Sequence, residues 1–96
     1  MSTKPKQHQW SNPEVENVVI WLENDRVHYQ AIQSRRRVWY DGDGDNTIFT
    51  QGDRLRAFAT AIRNYCTGLW PRLVTPDGFD LHEVDWLEVA SHWVEQ

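Results

Sequence analysis

The apolar residues between Leu55 and Cys66 recur at helical spacing, and this pattern constrains the fold more than any other feature. Positions 55, 58, 59, 62 and 66 carry Leu, Phe, Ala, Ile and Cys, which share one face of an α-helix. Thr50 can cap this helix with Asp53 at capping-box spacing, and Gly68 favours its end. Such a face has to be buried, so the chain is predicted to fold by packing helices together.

A longer helix is predicted from Pro13 to about Ser34. Ser11 or Asn12 can cap it, and its core face is formed by six residues: Val15, Val18, Val19, Leu22, Tyr29 and Ile32. Its weak point is the turn-prone pair Asn24-Asp25. A second apolar stripe lies on the opposite side, at Ile20, Val27 and Ala31. Two explanations stay open: a break near Asn24 that rotates the second half, or a helix covered on both sides by another helix or chain.

The remaining elements are a last helix and short hairpins. The helix is expected to begin near Asp80, and its apolar face is formed by Trp86, Leu87, Ala90, Trp93 and Val94, with Val89 at the edge. One hairpin is predicted to pair residues 37–40 with residues 47–50, and a second is expected to pair Leu73-Val74 with Phe79. The fold class is therefore mainly α, or α+β with minor strand content: a compact three-helix domain with one or two short β-hairpins in its connections.

The length and ends of the sequence predict one domain. Its 96 residues suffice for a single core, which we expect to span residues 11–96, preceded by a polar and flexible tail at residues 1–10. Cys66 is the only cysteine, so no internal disulfide can form, and a cytoplasmic location is expected. The chain lacks an apolar run long enough for a membrane span.

Charge is distributed unevenly along the chain. Ten Lys and Arg against 14 Asp and Glu give a formal net charge of -4, which does not favour a general nucleic-acid binder. Arg26 and Arg35 to Arg37 are the only charged residues between positions 26 and 40, whereas the last twenty residues hold six acids and no Lys or Arg. We therefore expect a basic patch and an acidic end.

The triplet Arg35, Arg36 and Arg37 stands beside Trp39 and Tyr40. Trp and Arg dominate the energetics of protein interfaces, so this segment is the preferred contact patch for a protein partner. Arginine also binds phosphate, and aromatic rings stack on bases, which makes a nucleic-acid-binding module the alternative. With six tryptophans in the chain, a simpler explanation is that each covers the edge of a thin core.

The acidic segment at Asp41, Asp43 and Asp45 resembles the start of a calcium-binding EF-hand loop, with carboxylates at positions 1, 3 and 5. The match then fails, because Asn46 stands where such a loop needs glycine and Gly52 where it needs glutamate. A weak divalent-ion loop is a minor alternative to an ordinary turn, and no metal site is assigned.

Catalytic and cofactor motifs are absent from the sequence. His82-Glu83 does not continue into a zinc helix, and no phosphate loop or nucleophile elbow is present. We therefore expect a small, non-catalytic interaction module without a cofactor, of the type common among bacterial and phage accessory proteins. It would bind a protein partner, or itself as a homodimer, through Ile20, Val27 and Ala31 and through the Arg35–Tyr40 segment.

Overall fold

The computed structural model describes residues 10–41 and 50–95, and most of these residues are helical. Four α-helices and one 3₁₀ turn follow in order: α1 (Pro13–Asn24), α2 (Arg26–Trp39), α3 (Gln51–Leu69), the 3₁₀ turn Leu81–Glu83, and α4 (Trp86–Val94). The prediction of a compact, mainly helical domain is confirmed. The number of helices differs from the three predicted, because the first predicted helix is divided.

Polar side chains cap the helices at their N-termini, as the sequence predicts. The side chain of Asn12 accepts a hydrogen bond from the Val15 amide at 2.9 Å, and Pro13 occupies the first turn of α1. The Thr50 hydroxyl accepts one from the Asp53 amide at 3.0 Å. These caps satisfy amide groups that have no partner inside the helix, which is why α1 and α3 begin where they do.

The helices pack around one apolar core. Helix α3 packs against both α2 and α4, and α1 packs against α2 and α4. The core contains Val15, Val18, Val19, Leu22, Ile32, Phe58, Ala59, Ile62, Cys66, Leu81, Val84, Val89, Ala90 and Trp93. Helix α2 contributes only Ile32 to this set, whereas α1 and α3 contribute four residues each.

The predicted long helix breaks at Asp25. Of the two open explanations, the break near Asn24 is therefore the correct one. Asp25 has an extended backbone, and its carboxylate accepts hydrogen bonds from the amides of Val27 at 2.8 Å and His28 at 3.4 Å. The same residue therefore ends α1 and caps α2. Helix α2 then continues to Trp39, five residues beyond the predicted end at Ser34.

The first predicted hairpin is wrong in its first strand. Arg37 to Trp39 complete the last turn of α2, and Tyr40 caps it by donating its amide to the carbonyl of Arg36 at 2.8 Å. Helix propagation from the residues before Arg37 outweighs the local strand propensity of Val38, Trp39 and Tyr40. Of the predicted second strand at residues 47–50, only Thr50 lies among the described residues, where it caps α3, and most of the Asp41–Asp45 loop also lies outside them.

The second predicted hairpin is reduced to a single antiparallel bridge between Val74 and Asp80. The turn from Thr75 to Gly78 connects the two sides of this bridge. The Gly78 amide donates to the Thr75 carbonyl at 2.8 Å, and Gly78 has a positive φ of 89°. Within the described ranges no β-strand forms. The pairing stops because Leu81 enters the 3₁₀ turn directly after the bridge.

Leu73, just before this bridge, has a backbone that is rare for its residue type. Its φ is 65°, in the left-handed region that favours glycine. The Leu73 amide donates to the carbonyl of Trp70 at 2.8 Å, and its carbonyl accepts from the Leu81 amide at 2.9 Å. These two hydrogen bonds hold the residue in its conformation.

Two further boundaries differ from those predicted. Helix α3 passes through Gly68 and ends at Leu69, two residues before Pro71, whose ring cannot continue a helix. Asp80 begins only the 3₁₀ turn, and α4 starts six residues later, capped by Asp85. The apolar face of α4 is also rotated from the predicted one: Val89, Ala90 and Trp93 are buried, and Leu87 is exposed.

The N-terminal part of the described chain is tied to the C-terminal third. The backbone amide of Ser11 donates to the Glu88 carboxylate at 3.0 Å, and the side-chain amide of Asn12 donates to the Glu83 carbonyl at 2.9 Å. Asp77 in the turn accepts hydrogen bonds from Asn17 and from the Trp21 indole, which lower its pKa. Of the predicted tail at residues 1–10, only Trp10 lies among the described residues.

Replacing Asp25 tests its role as the cap that divides α1 from α2. We expect Asp25→Ala to lower the free energy of unfolding by about 1 kcal/mol, because two amide groups lose their acceptor. Asp25→Asn keeps an acceptor and should retain most of that stability. Urea unfolding followed by circular dichroism measures both, and equal losses in the two variants would contradict this role.

Replacing Leu73 tests whether its backbone is strained. A protein with alanine at a given position is normally more stable than one with glycine there, but a left-handed φ at that position reverses the order. Leu73→Gly and Leu73→Ala both lose the side chain, so their difference isolates the backbone. We expect the glycine variant to be more stable by about 1 kcal/mol in urea unfolding. An alanine variant of equal or greater stability would show that this position carries no such strain.

Candidate functional site

The solvent-facing side of α2 carries an apolar surface formed by Val27, Ala31, Val38 and Trp39. Val27 is 68% exposed, and Val38 and Trp39 are 46% and 45% exposed. Spacings of four and seven residues place Val27, Ala31 and Val38 on one side of the helix, and Trp39 lies about 100° further round it, towards the α3 side. We call these four residues the α2 outer surface. Exposed apolar side chains that share a helix face are typical of association sites.

Ile20 does not belong to this surface. It was predicted to form one stripe with Val27 and Ala31, which requires a continuous helix, and the break at Asp25 removes that continuity. Ile20 lies on α1, where it is 45% exposed. Glu16 and Glu23 stand four residues before it and three after it, on the same side of α1. The predicted stripe is thus divided between two helices.

The three consecutive arginines point in different directions, because successive residues of a helix are about 100° apart. Arg35 is half-buried beside α3, and Arg37 is exposed. Arg36 turns towards the end of the helix, where its Nε lies 3.6 Å from a carboxylate oxygen of Asp41. The Arg35–Tyr40 segment is therefore not a single patch, although Arg35 and Trp39, four residues apart, lie on one side.

Tyr65 of α3 joins the two helices where Arg35 lies. The guanidinium carbon of Arg35 is 4.7 Å from the centre of the Tyr65 ring, and an Arg35 nitrogen donates to the Ala31 carbonyl at 3.0 Å. The Tyr65 hydroxyl lies 2.7 Å from Nδ1 of His28. Burial raises the pKa of Tyr65, so this hydroxyl stays protonated at neutral pH. These contacts fix the position of Arg35 at the edge of the α2 outer surface.

A groove of about 510 Å³ lies beside these contacts, between α2 and α3. Arg35, Trp39 and Tyr65 line it together with the smaller side chains of Ala57, Thr60, Ala61 and Asn64. The small residues leave room for a partner's side chains to approach α3 closely. The groove adjoins the α2 outer surface through Trp39, so the two form one continuous candidate site.

Tyr40, the last predicted contact residue, faces another part of the molecule. Its ring packs against the core, and its hydroxyl accepts a hydrogen bond from the Gln51 side chain at 2.7 Å. Sequence reasoning missed Val38 and all of the α3 residues that line the groove. Val38 was assigned to a strand, whose alternation hides its helical spacing from Val27 and Ala31, and Tyr65 lay beside the apolar face of α3 with no signal of its own.

Three histidines of the described residues each lie close to a carboxylate. Nδ1 of His82 lies 2.9 Å from a carboxylate oxygen of Asp80, His92 contacts Glu23, and His28 lies 3.9 Å from Asp25. Among residues 10–41 and 50–95, no group of three His, Cys, Asp or Glu side chains could hold a metal ion. In the same ranges no helix is long and apolar enough to span a membrane.

Comparison with known proteins identifies no relative: no family model matches the chain, no curated protein is significantly similar to it, and no solved structure matches its fold. The candidate site therefore has to be interpreted from its own geometry.

Cys66 belongs to the core. Its side chain is fully buried, and burial raises the pKa of its thiol to about 12. Because the thiolate is the reactive form, this cysteine is predicted to be inert in the folded chain.

Thiol labelling tests that prediction. At pH 8 we expect Ellman's reagent to leave Cys66 unmodified in the folded protein and to modify it rapidly in the urea-unfolded chain. The Cys66→Ser variant provides the blank. A labelling rate in native buffer close to that of the unfolded chain would show that the thiol is accessible.

Proposed function

We propose that this chain is a non-catalytic protein-interaction module, and that the α2 outer surface binds an acidic amphipathic helix of a partner protein. The observation that carries the proposal is the exposure of Val27, Val38 and Trp39 on a helix that has four arginines and no acidic residue. Covering these side chains removes apolar area from water, which contributes on the order of 1 kcal/mol for each of them. The adjoining groove supplies space for a partner's side chains.

The charge of α2 favours a partner other than a second copy docked through the same surface. In a symmetric α2-to-α2 contact, the arginines of one copy would face those of the other, which is unfavourable. Arg26 and Arg37 are both exposed and available to pair with acidic groups around an apolar contact. A partner helix with an apolar stripe bordered by Asp or Glu meets both requirements.

The alternative function is a nucleic-acid-binding module that uses Arg35–Arg37 with Trp39 and Tyr40. The exposed Trp39 ring on a basic helix supports it, because such rings stack on bases. The existing contacts of Arg35 with Ala31 and Tyr65, and of Arg36 with Asp41, weigh against it. These contacts compete with phosphate for the two guanidinium groups.

Photo-crosslinking in the cell of origin tests the proposal. A benzoylphenylalanine placed at Val27 should crosslink to one discrete protein. A second change, Val38→Glu, should reduce that crosslink about tenfold, because it introduces charge that repels an acidic partner. Gln51→Glu, an exposed position at the start of α3 outside both the surface and the groove, adds the same charge and should leave the crosslink intact.

The controls separate the alternatives. Thermal unfolding should show that Val38→Glu and Gln51→Glu leave the fold intact. Equal crosslinking in the two variants, or no discrete product, would overturn the proposal. Anisotropy with labelled single-stranded DNA and RNA tests the other function, and binding that Arg37→Glu abolishes would establish it instead. Sedimentation equilibrium detects self-association, and a dimer lost in Val38→Glu would identify a second copy as the occupant.

A further inference from the structure

A separate cavity lies between the C-terminal half of α3 and the segment that connects α3 to α4. Its volume is about 440 Å³, within the range of small-molecule sites in proteins. It is lined by Arg63, Asn64, Thr67, Leu73, Leu81, His82, Val84 and Trp86. Of these residues only Asn64 also lines the groove beside the α2 outer surface.

The polar part of this cavity suits an anion. Among the described residues that line it, none is acidic, although the chain as a whole has a formal charge of -4. Arg63 supplies a guanidinium group that binds carboxylate through two parallel hydrogen bonds. His82 directs its Nδ1 to the Asp80 carboxylate at 2.9 Å, so the anion contact rests on Arg63 and not on this ring.

The apolar part of the cavity suits a hydrocarbon body. Leu81 and Val84 are buried core residues, and Trp86 and Leu73 are half-buried and pack against the core. A ligand here would meet apolar side chains that the fold already holds in place. A site of few polar groups beside a pre-formed apolar wall is typical of small-molecule recognition.

Among residues 10–41 and 50–95, the one non-glycine residue with a positive φ lies in this wall. Leu73 has its left-handed φ of 65° while its side chain lines the cavity. Glycine would adopt this backbone without strain, but it would supply no side chain. Strained backbone that the surroundings hold in place occurs preferentially at ligand sites, so Leu73 is a second observation that points to the same cavity.

We propose that this cavity binds a small amphiphilic carboxylate, whose anionic group pairs with Arg63 and whose apolar body lies against Trp86 and Leu73. The inference is independent of the proposed protein interaction, since it rests on residues outside the α2 outer surface. Arg63 provides the charge selectivity, and the apolar wall provides the preference for a hydrocarbon or aromatic body.

Titration of the ¹⁵N-labelled full chain tests the proposal, with 4-phenylbutyrate, indole-3-acetate and octanoate as probes. At least one should give saturable shifts of the Trp86 indole and the Leu73 amide resonances. The alcohol corresponding to the best probe, such as 4-phenylbutan-1-ol, should bind about tenfold more weakly or worse, because it lacks the charge.

Two arginine variants then test whether Arg63 is the residue that binds the anionic group. Arg63→Gln should weaken binding of the best probe about tenfold, whereas Arg26→Gln, a matched change of an exposed arginine outside the cavity, should leave it unchanged. The spectrum of Arg63→Gln without ligand shows whether its fold is kept. The proposal is overturned if no probe gives saturable shifts, if the alcohol binds equally well, or if the two arginine variants behave alike.

Discussion

The hydrogen bonds that Asp25 accepts from the start of α2 decide which side of that helix faces the core. They end α1 after twelve residues and let α2 begin in a new direction. In that direction Ile32 is the only residue of α2 that is fully buried, and Val27 and Val38 face solvent. The apolar surface proposed to bind a partner therefore exists because one carboxylate divides the helix.

Much of the helical framework follows from the sequence because its signals are local. The caps at Asn12 and Thr50 and the apolar spacing of α1 and α3 each depend on residues within a few turns. The division at Asp25 was one of two explanations that the same turn-prone pair allowed. Choosing between them required the packing of α2 on α3, which a local pattern does not contain.

The predictions that failed relied on local signals where the surrounding structure decided the outcome. Val38, Trp39 and Tyr40 have strand propensity, but they follow an established helix and extend it. The three arginines are adjacent in sequence, and helical geometry separates them in space. The Leu73 backbone gave no sequence signal, because leucine is not the residue expected at a positive φ. The Arg63 cavity is formed by segments that are distant in sequence, so the spacing of residues along the chain could not predict it either.

Both proposed sites are basic surfaces on a chain whose formal net charge is -4. Helix α2 is purely basic among its charged residues, whereas α1 has acidic residues and no Lys or Arg. The Arg63 cavity is a local exception in the acidic C-terminal region, where the described lining holds donors without carboxylates. Both sites therefore favour negatively charged ligands, and they differ in shape: an exposed helix surface in one case and a cavity in the other.

The ties between the two ends of the described chain bear on how the folded chain is held together. Ser11 and Asn12 bind Glu88 and Glu83, residues more than seventy positions later. Helices α1 and α2, which pack against each other, both precede those acceptors in the chain, so α1 meets α2 through short-range contacts and the C-terminal third through long-range ones. Closing so long a loop costs entropy, and the contacts of α1 with α4 and the 3₁₀ turn offset that cost in the folded chain.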